Sequence, residues 1–181
     1  MNNILTDPIG IDAKIQTMQI LLYDKLDWAN IEMYGRVFKN KVDGKVIAQG
    51  YGENANGDYK KDVYLDDTKN ASIFFVAADN QTTTNGVQFT NEVKIVFMLN
   101  LKVLYPDINH RADTEAQNTA YDLVHSRKAF RIKRIETGLE NVLNGFDVSL
   151  KSLIRSDLQP IHVFGIVADV NYKMNSNCLK N

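Results

Sequence analysis

The sequence predicts an α+β fold with a mostly antiparallel sheet, and three observations predict it. Val93 to Tyr105, VKIVFMLNLKVLY, carries an apolar residue at every odd position over thirteen residues, the period of two that marks a strand. Ile161 to Met174 is almost wholly apolar through Ala168. It then alternates Val170, Tyr172 and Met174 with Asp169, Asn171 and Lys173, as in a central strand that emerges at an edge. Before and between these runs lie segments with helical spacing. The two strands are expected at about 92–105 and 161–174. At roughly 3.3 Å per residue the first extends about 43 Å, well beyond the usual five or six residues, so it can act as a spine and still project past its domain.

The chain's 181 residues, 44% of them hydrophobic, fit a single domain over 1–181 with enough length to bury a core. A net charge of −1 gives the whole molecule no global attraction to nucleic acid or acidic membranes. The single cysteine, Cys178, has no partner for an internal disulfide and sits in an expected frayed C-terminal tail, which suits a reducing compartment. No apolar run approaches the roughly 18 residues of a membrane span, and MNNILTDPIG lacks the basic flank and apolar core of a signal peptide. Synthesis in a cytoplasm, with no membrane partner, is the expectation.

In chain order, Asp7-Pro8 or Asp12 starts an amphipathic helix on Ile11, Ile15, Met18, Leu22 and Leu26 that ends near Asp27. Ile31 to Phe38 and Lys45 to Tyr51 read as a hairpin, with Asp43-Gly44 supplying the turn. GENANGDYKKD, about 52–62, reads as a flexible solvated loop. It fails as an EF-hand because Gly52 and Val63 stand where the first and twelfth ligands belong. Val63 to Leu65 and Ser72 to Ala77 are further strand candidates. ADNQTTTNGVQFTN, residues 78–91, has almost nothing to bury and reads as a flexible loop or hairpin tip that orders on contact with a neighbour. Pro106 stops the spine. Thr114 and Gln117 resemble a capping box, and apolar spacing from Ala116 through Leu143 predicts one or two helices over about 113–145.

Chemistry is sparse. His110, His125 and His162 fall outside metal-ligand spacings, the glycines form no phosphate-binding pattern, and no cofactor is implied. His110 flanked by Asp107 and Asp113 is the least implausible catalytic cluster, but no activated nucleophile accompanies it. The notable charge concentration is Arg127, Lys128, Arg131, Lys133 and Arg134, expected to wind around a helix. It reads as a solvated face balanced by Glu136 and Glu140. The sharper readings are an interface with a neighbouring subunit's acidic segment, for which Asp58, Asp62, Asp66 and Asp67 are available, or sequence-independent contact with DNA phosphates.

The order helix, hairpin, loop with a short strand, long strand, one or two helices, final strand resembles the small α+β proteins of tailed-phage necks and tails. These are the tail-terminator and head–tail connector group. Gly57-Asp58-Tyr59-Lys60, Val63-Tyr64-Leu65-Asp66-Asp67 and Ser72-Ile73-Phe74-Phe75 are similar to the middle of such proteins in crAss-like phages of Bacteroidetes. The resemblance implies a non-enzymatic virion protein, a homo-oligomeric ring subunit around the DNA channel that touches other neck or tail proteins and is assembled in the host cytoplasm. No residue-specific role comes with it. Two alternatives stand beside it: a small α+β enzyme, and a monomeric binding module that uses residues 78–91.

Overall fold

Strand β7 (Gln88–Asn100) is paired along its whole length with β9 (Ile161–Lys173), each thirteen residues long, and this antiparallel ribbon is the centre of the molecule. The computed structural model describes residues 1–51, 61–65, 68–107, 112–148 and 161–174. On one side of the ribbon lies β6 (Ala71–Thr83), antiparallel to β7. Beyond it come β2 (Ile31–Arg36) and the two-residue β1 (Asn2–Asn3), both added in parallel. On the other side β8 (Phe130–Thr137) pairs antiparallel with β9 and forms the edge. The order β1-β2-β6-β7-β9-β8 is the predicted α+β architecture with a mostly antiparallel sheet.

Alternation along β7 divides the core. Val93, Ile95, Phe97 and Leu99 face helix α1 (Gly10–Lys25) and helix α3 (Ala112–His125). There they join Ile15, Met18 and Leu22 of α1 and Ala116, Ala120 and Val124 of α3. Phe97 stacks on Phe164 of β9, their centroids 4.6 Å apart and their planes within 5°. Val96 and Met98 face the opposite way, into a second cluster with Tyr34, Phe74, Val63 and Val142. That cluster is roofed by a three-stranded sheet of β3 (Phe38–Val42), β4 (Lys45–Gly50) and β5 (Lys61–Asp62), and by the single turn α4 (Leu139–Val142).

Several expectations are corrected. Helix α1 begins at Gly10 with Ile9 as its cap, because Asp7 turns back at φ 50° and cannot lead into the helix. Asp43 and Gly44, at φ 49° and 79°, do close a hairpin, but its first arm is Phe38–Val42; Ile31–Arg36 belongs to the main sheet. The spine stops at Asn100, whose partner Ile161 is the first residue of β9, and with no strand left to pair the chain turns into α2 (Leu101–Leu104). Of the two readings of residues 78–91 the structure has the hairpin and not the loop: β6 and β7 continue through them, leaving only a four-residue connection between Thr83 and Gln88. The largest correction lies in 113–145, where α3 ends at His125 and residues 130–137 are the edge strand β8. A bulge between Ile132 and Arg134 returns Ile135 to the face of Ile132, and that spacing of three imitates a helix.

Candidate subunit interface

The basic run lies at the edge of the sheet, with Arg131, Lys133 and Arg134 on β8 and with Arg127 and Lys128 exposed in the turn before it. Strand alternation, with the bulge, turns the three β8 cations toward the sheet face that carries Glu92 of β7 and Asp169 of β9. Arg131 Nη2 donates to Asp169 Oδ2 at 2.9 Å. Lys133 Nζ lies 2.7 Å from Glu92 and 3.5 Å from Asp169. Arg134 Nη2 stands 2.8 Å from Glu136 and 3.4 Å from Glu92. Lys94 of β7 completes the ladder, 2.7 Å from Glu136 Oε2, and also donates to the carbonyl of Val142 at 3.1 Å.

Four cations thus meet three carboxylates across three strands. The hydrogen bond from Lys133 holds Glu92 below the usual glutamate range, and the bond from Arg131 holds Asp169 down against the opposing effect of burial. At Glu136 burial pushes upward, but the bonds from Lys94 and Arg134 together outweigh it and the net shift is downward. Lys133 and Arg134 are raised in return, each first by its hydrogen bond to Glu92. The expectation that these cations wind around a helix is therefore corrected, since Arg131, Lys133 and Arg134 stand on a strand, while the balancing by Glu136 is found at Arg134. Strand geometry brings their carboxylates to them, and only Arg127 and Lys128 make no ion pair among the described residues.

On the acidic side, Asp58, Asp66 and Asp67 lie outside the described residues, and Asp62 is placed only as the last residue of β5. His110 likewise lies outside them. Asp113 sits in the first turn of α3, and Asp107 follows α2. His162 stacks on Phe164 at 5.4 Å, and its Nε2 meets the Gln117 amide at 3.0 Å, so Gln117 serves β9 rather than a capping box. Among the described residues no group of three or more His, Cys, Asp or Glu is placed to hold a metal. No helix is long and apolar enough to cross a membrane.

The distal halves of β6 and β7 form an arm, longer than the hairpin tip that the sequence offered for residues 78–91. Asn91 fixes its base. Its buried amide receives the Ala78 N–H at 3.1 Å and donates to the Ala78 carbonyl at 3.0 Å, holding a bulge where β6 shifts register between Ala77 and Gln81. At the tip, Asn85 accepts from the N–H groups of Val87 and Gln88, and Gly86 takes φ 70° to close the turn. Phe89 stacks on Tyr172 at 5.9 Å, tying β7 to the end of β9, and Tyr172 donates to Gln81 of β6. The outer side of β6 is paired by β2 only as far as Phe75. Beside the next residues runs a trough of about 470 Å³ between β6 and β3. A second cleft, about 580 Å³, lies between the arm and the start of α1, with Lys14, Thr82, Thr84 and Lys173 in its wall.

Comparison with known proteins found no matching family model, no matching curated protein and no matching solved structure.

Proposed function

We propose that this chain is a structural subunit of a homo-oligomeric ring, a virion protein of the tailed-phage neck or tail that encloses the DNA channel as a tail terminator or head–tail connector. The observation that carries the reading is the pair of unlike open edges on opposite sides of one sheet. Among the described residues no strand pairs with the outer side of β8, and none pairs with the outer side of β6 beyond Phe75. Unpaired strand edges attract further strands, and two different edges on one molecule favour a heterologous contact that closes into a ring. The phage assignment rests on the resemblance in element order and phrasing; the edges supply the mechanical role. In this reading the protein acts by shape rather than by catalysis, with other neck or tail proteins above and below it.

The internal pairing of Arg131, Lys133 and Arg134 leaves Arg127 and Lys128 as the β8-side cations available to packaged DNA. The test is the mass of the purified chain by light scattering across protein concentration at low and high salt. A discrete oligomer of about six or more copies is expected, and a strict monomer throughout overturns self-assembly of the chain. The cleft beside the arm favours one other reading, a monomeric binding module, which that monomer would leave standing.

A further inference from the structure

We infer that the contact between neighbouring copies is strand addition, with the outer edge of β8 of one copy pairing antiparallel with the β6 arm of the next, in the register that sets Arg131 against Asp79. The inference rests on the ring reading above and names its interface.

Direction comes first. β6, β7, β9 and β8 are antiparallel in succession, so β8 runs opposite to β6 within one copy. A rotation about a ring axis along the strands preserves strand direction. It therefore lays β8 beside an oppositely directed β6, giving an antiparallel ladder. Length agrees as well: β8 has eight residues, and the stretch of β6 past its last β2 partner, Val76 to Thr83, also has eight.

Register follows from the pairing within the sheet. One row across it reads Phe130, Val170, Asn91, Gln81, and another reads Ile132, Ala168, Val93, Ala77. Copies related by a cyclic axis stand at one height, so when the strands run along that axis each row meets the same row of the neighbour. Phe130 then falls beside Gln81 of the neighbouring copy, and Ile132 beside Ala77. Arg131, between them, meets the bulged residues 78–80 and the carboxylate of Asp79. Both side chains are largely exposed, 78% for Arg131 and 81% for Asp79, while within one copy Arg131 pairs with Asp169 at 2.9 Å and Asp79 with Lys39 at 3.4 Å, so the contact between copies is shared with these partners.

The two edges are also irregular in adjoining rows. The bulge of β8 lies between the rows of Val93 and Lys94 and that of β6 between the rows of Asn91 and Val93, so the two adjoin at the row that holds Ile132 and Ala77. Neither edge contains proline, the residue that most directly blocks strand addition. The trough of about 470 Å³ beside the arm, walled by Phe38 and Asn40 of β3, leaves space for an entering strand.

The experiment is a double variant, Asp79→Cys with Arg131→Cys, in a Cys178→Ser background, oxidised or treated with a short bifunctional thiol reagent. Within one copy the two positions are separated by β7 and β9, about 14 Å at strand spacing, too far for a disulfide. Cross-linking must therefore join different copies. The expected result is a ladder of covalent oligomers on a denaturing gel, abolished when either cysteine is omitted. In parallel, Asp79→Arg and Arg131→Asp should each raise the concentration for half-dissociation about tenfold, and the combined exchange should recover most of the loss. An oligomer by light scattering that yields no ladder and ignores both charge variants overturns this interface and leaves the ring reading intact. A monomer under all conditions overturns both.

Discussion

The ammonium of Lys133 on β8 reaches across β9 to the carboxylate of Glu92 on β7, 2.7 Å away, so one ion pair spans three strands. Asp169 lies between them on β9, and all three carboxylates of the ladder, Glu92, Glu136 and Asp169, are held below their ordinary range.

An acid-side loss of stability follows from those shifts. A carboxyl group whose folded-state pKa lies below its unfolded value binds fewer protons in the folded chain. Its contribution is complete above the unfolded value and disappears as pH falls through the folded one. The urea midpoint should therefore be level near neutrality and fall below about pH 4. Removing part of the ladder with Glu92→Gln should lower the neutral plateau and flatten the acid slope. An acid slope unchanged by that substitution would show that Glu92 adds nothing to stability.

The ring stack of Phe97 on Phe164 gives the second prediction. Both side chains are fully buried where β7 and β9 face α1 and α3, and Trp28 meets Phe97 edge-on at 6.4 Å. Phe97→Ala should cost about 3–5 kcal/mol, as measured by equilibrium denaturation. Phe97→Leu should cost clearly less because it retains most of the volume. Equal losses from the two would mean that ring geometry, rather than filled space, carries the effect.

Two glycines should respond in opposite degree to the same methyl group. A Cβ on Gly50 would stand 2.9 Å from Val63 Cγ1 and 3.1 Å from Tyr34 Cδ1, between the small sheet and its core. These groups are buried and branched or aromatic, so Gly50→Ala should destabilise by about 1–3 kcal/mol. The nearest neighbours of a Cβ on Gly165 would be the Lys94 side chain, at 3.2 Å, and the Val142 methyl, at 3.5 Å. A lysine stem can shift by a few tenths of an ångström, so Gly165→Ala should be nearly neutral to thermal melting. The reverse ranking would contradict the packing described for the second core cluster.

The sequence made the centre of this fold legible for a physical reason. β7 and β9 bury one face continuously, so their apolar period of two runs uninterrupted from Val93 to Leu99 and from Phe164 to Tyr172. The helix α1 was legible for the same reason through Ile11, Ile15, Met18 and Leu22. Legibility failed where that relation broke. β8 buries Phe130 and only partly Ile132, leaves Ile135 40% exposed, and is bulged, so its apolar spacing passes for a helix. The β6 half of the arm is exposed from Ala78 to Thr83, so that strand has no apolar face to display, and TTTNGVQ reads as loop or hairpin tip. The ion ladder was half legible. The cations are adjacent in sequence, but Glu92 and Asp169 reach them only through the order β7-β9-β8, and no local pattern encodes that order.

Asn91 is where the arm can be tested apart from the rest of the sheet. The residue is 6% exposed, and its amide holds both the N–H and the carbonyl of Ala78 while also approaching the Asn80 carbonyl at 3.4 Å. Asn91→Ala removes these bonds and leaves the Ala78 groups at the bulge without their clamp, a cost of about 1–3 kcal/mol where such groups stay shielded from water. The cost should be local, because residues 71–75 of β6 keep β2 on one side and β7 on the other. Amide hydrogen exchange should accelerate in residues 76–83 by about tenfold or more while residues 71–75 change little. If oligomers join through the β6 arm, the same variant should also weaken association, because a loosened arm must be ordered again before another strand can pair with it. Faster exchange with unchanged association would place the contact elsewhere. Unchanged exchange in 76–83 would mean that the β6–β7 ladder itself, with Gln81 and Thr82 paired to Asn91 and Thr90, is enough to hold the arm.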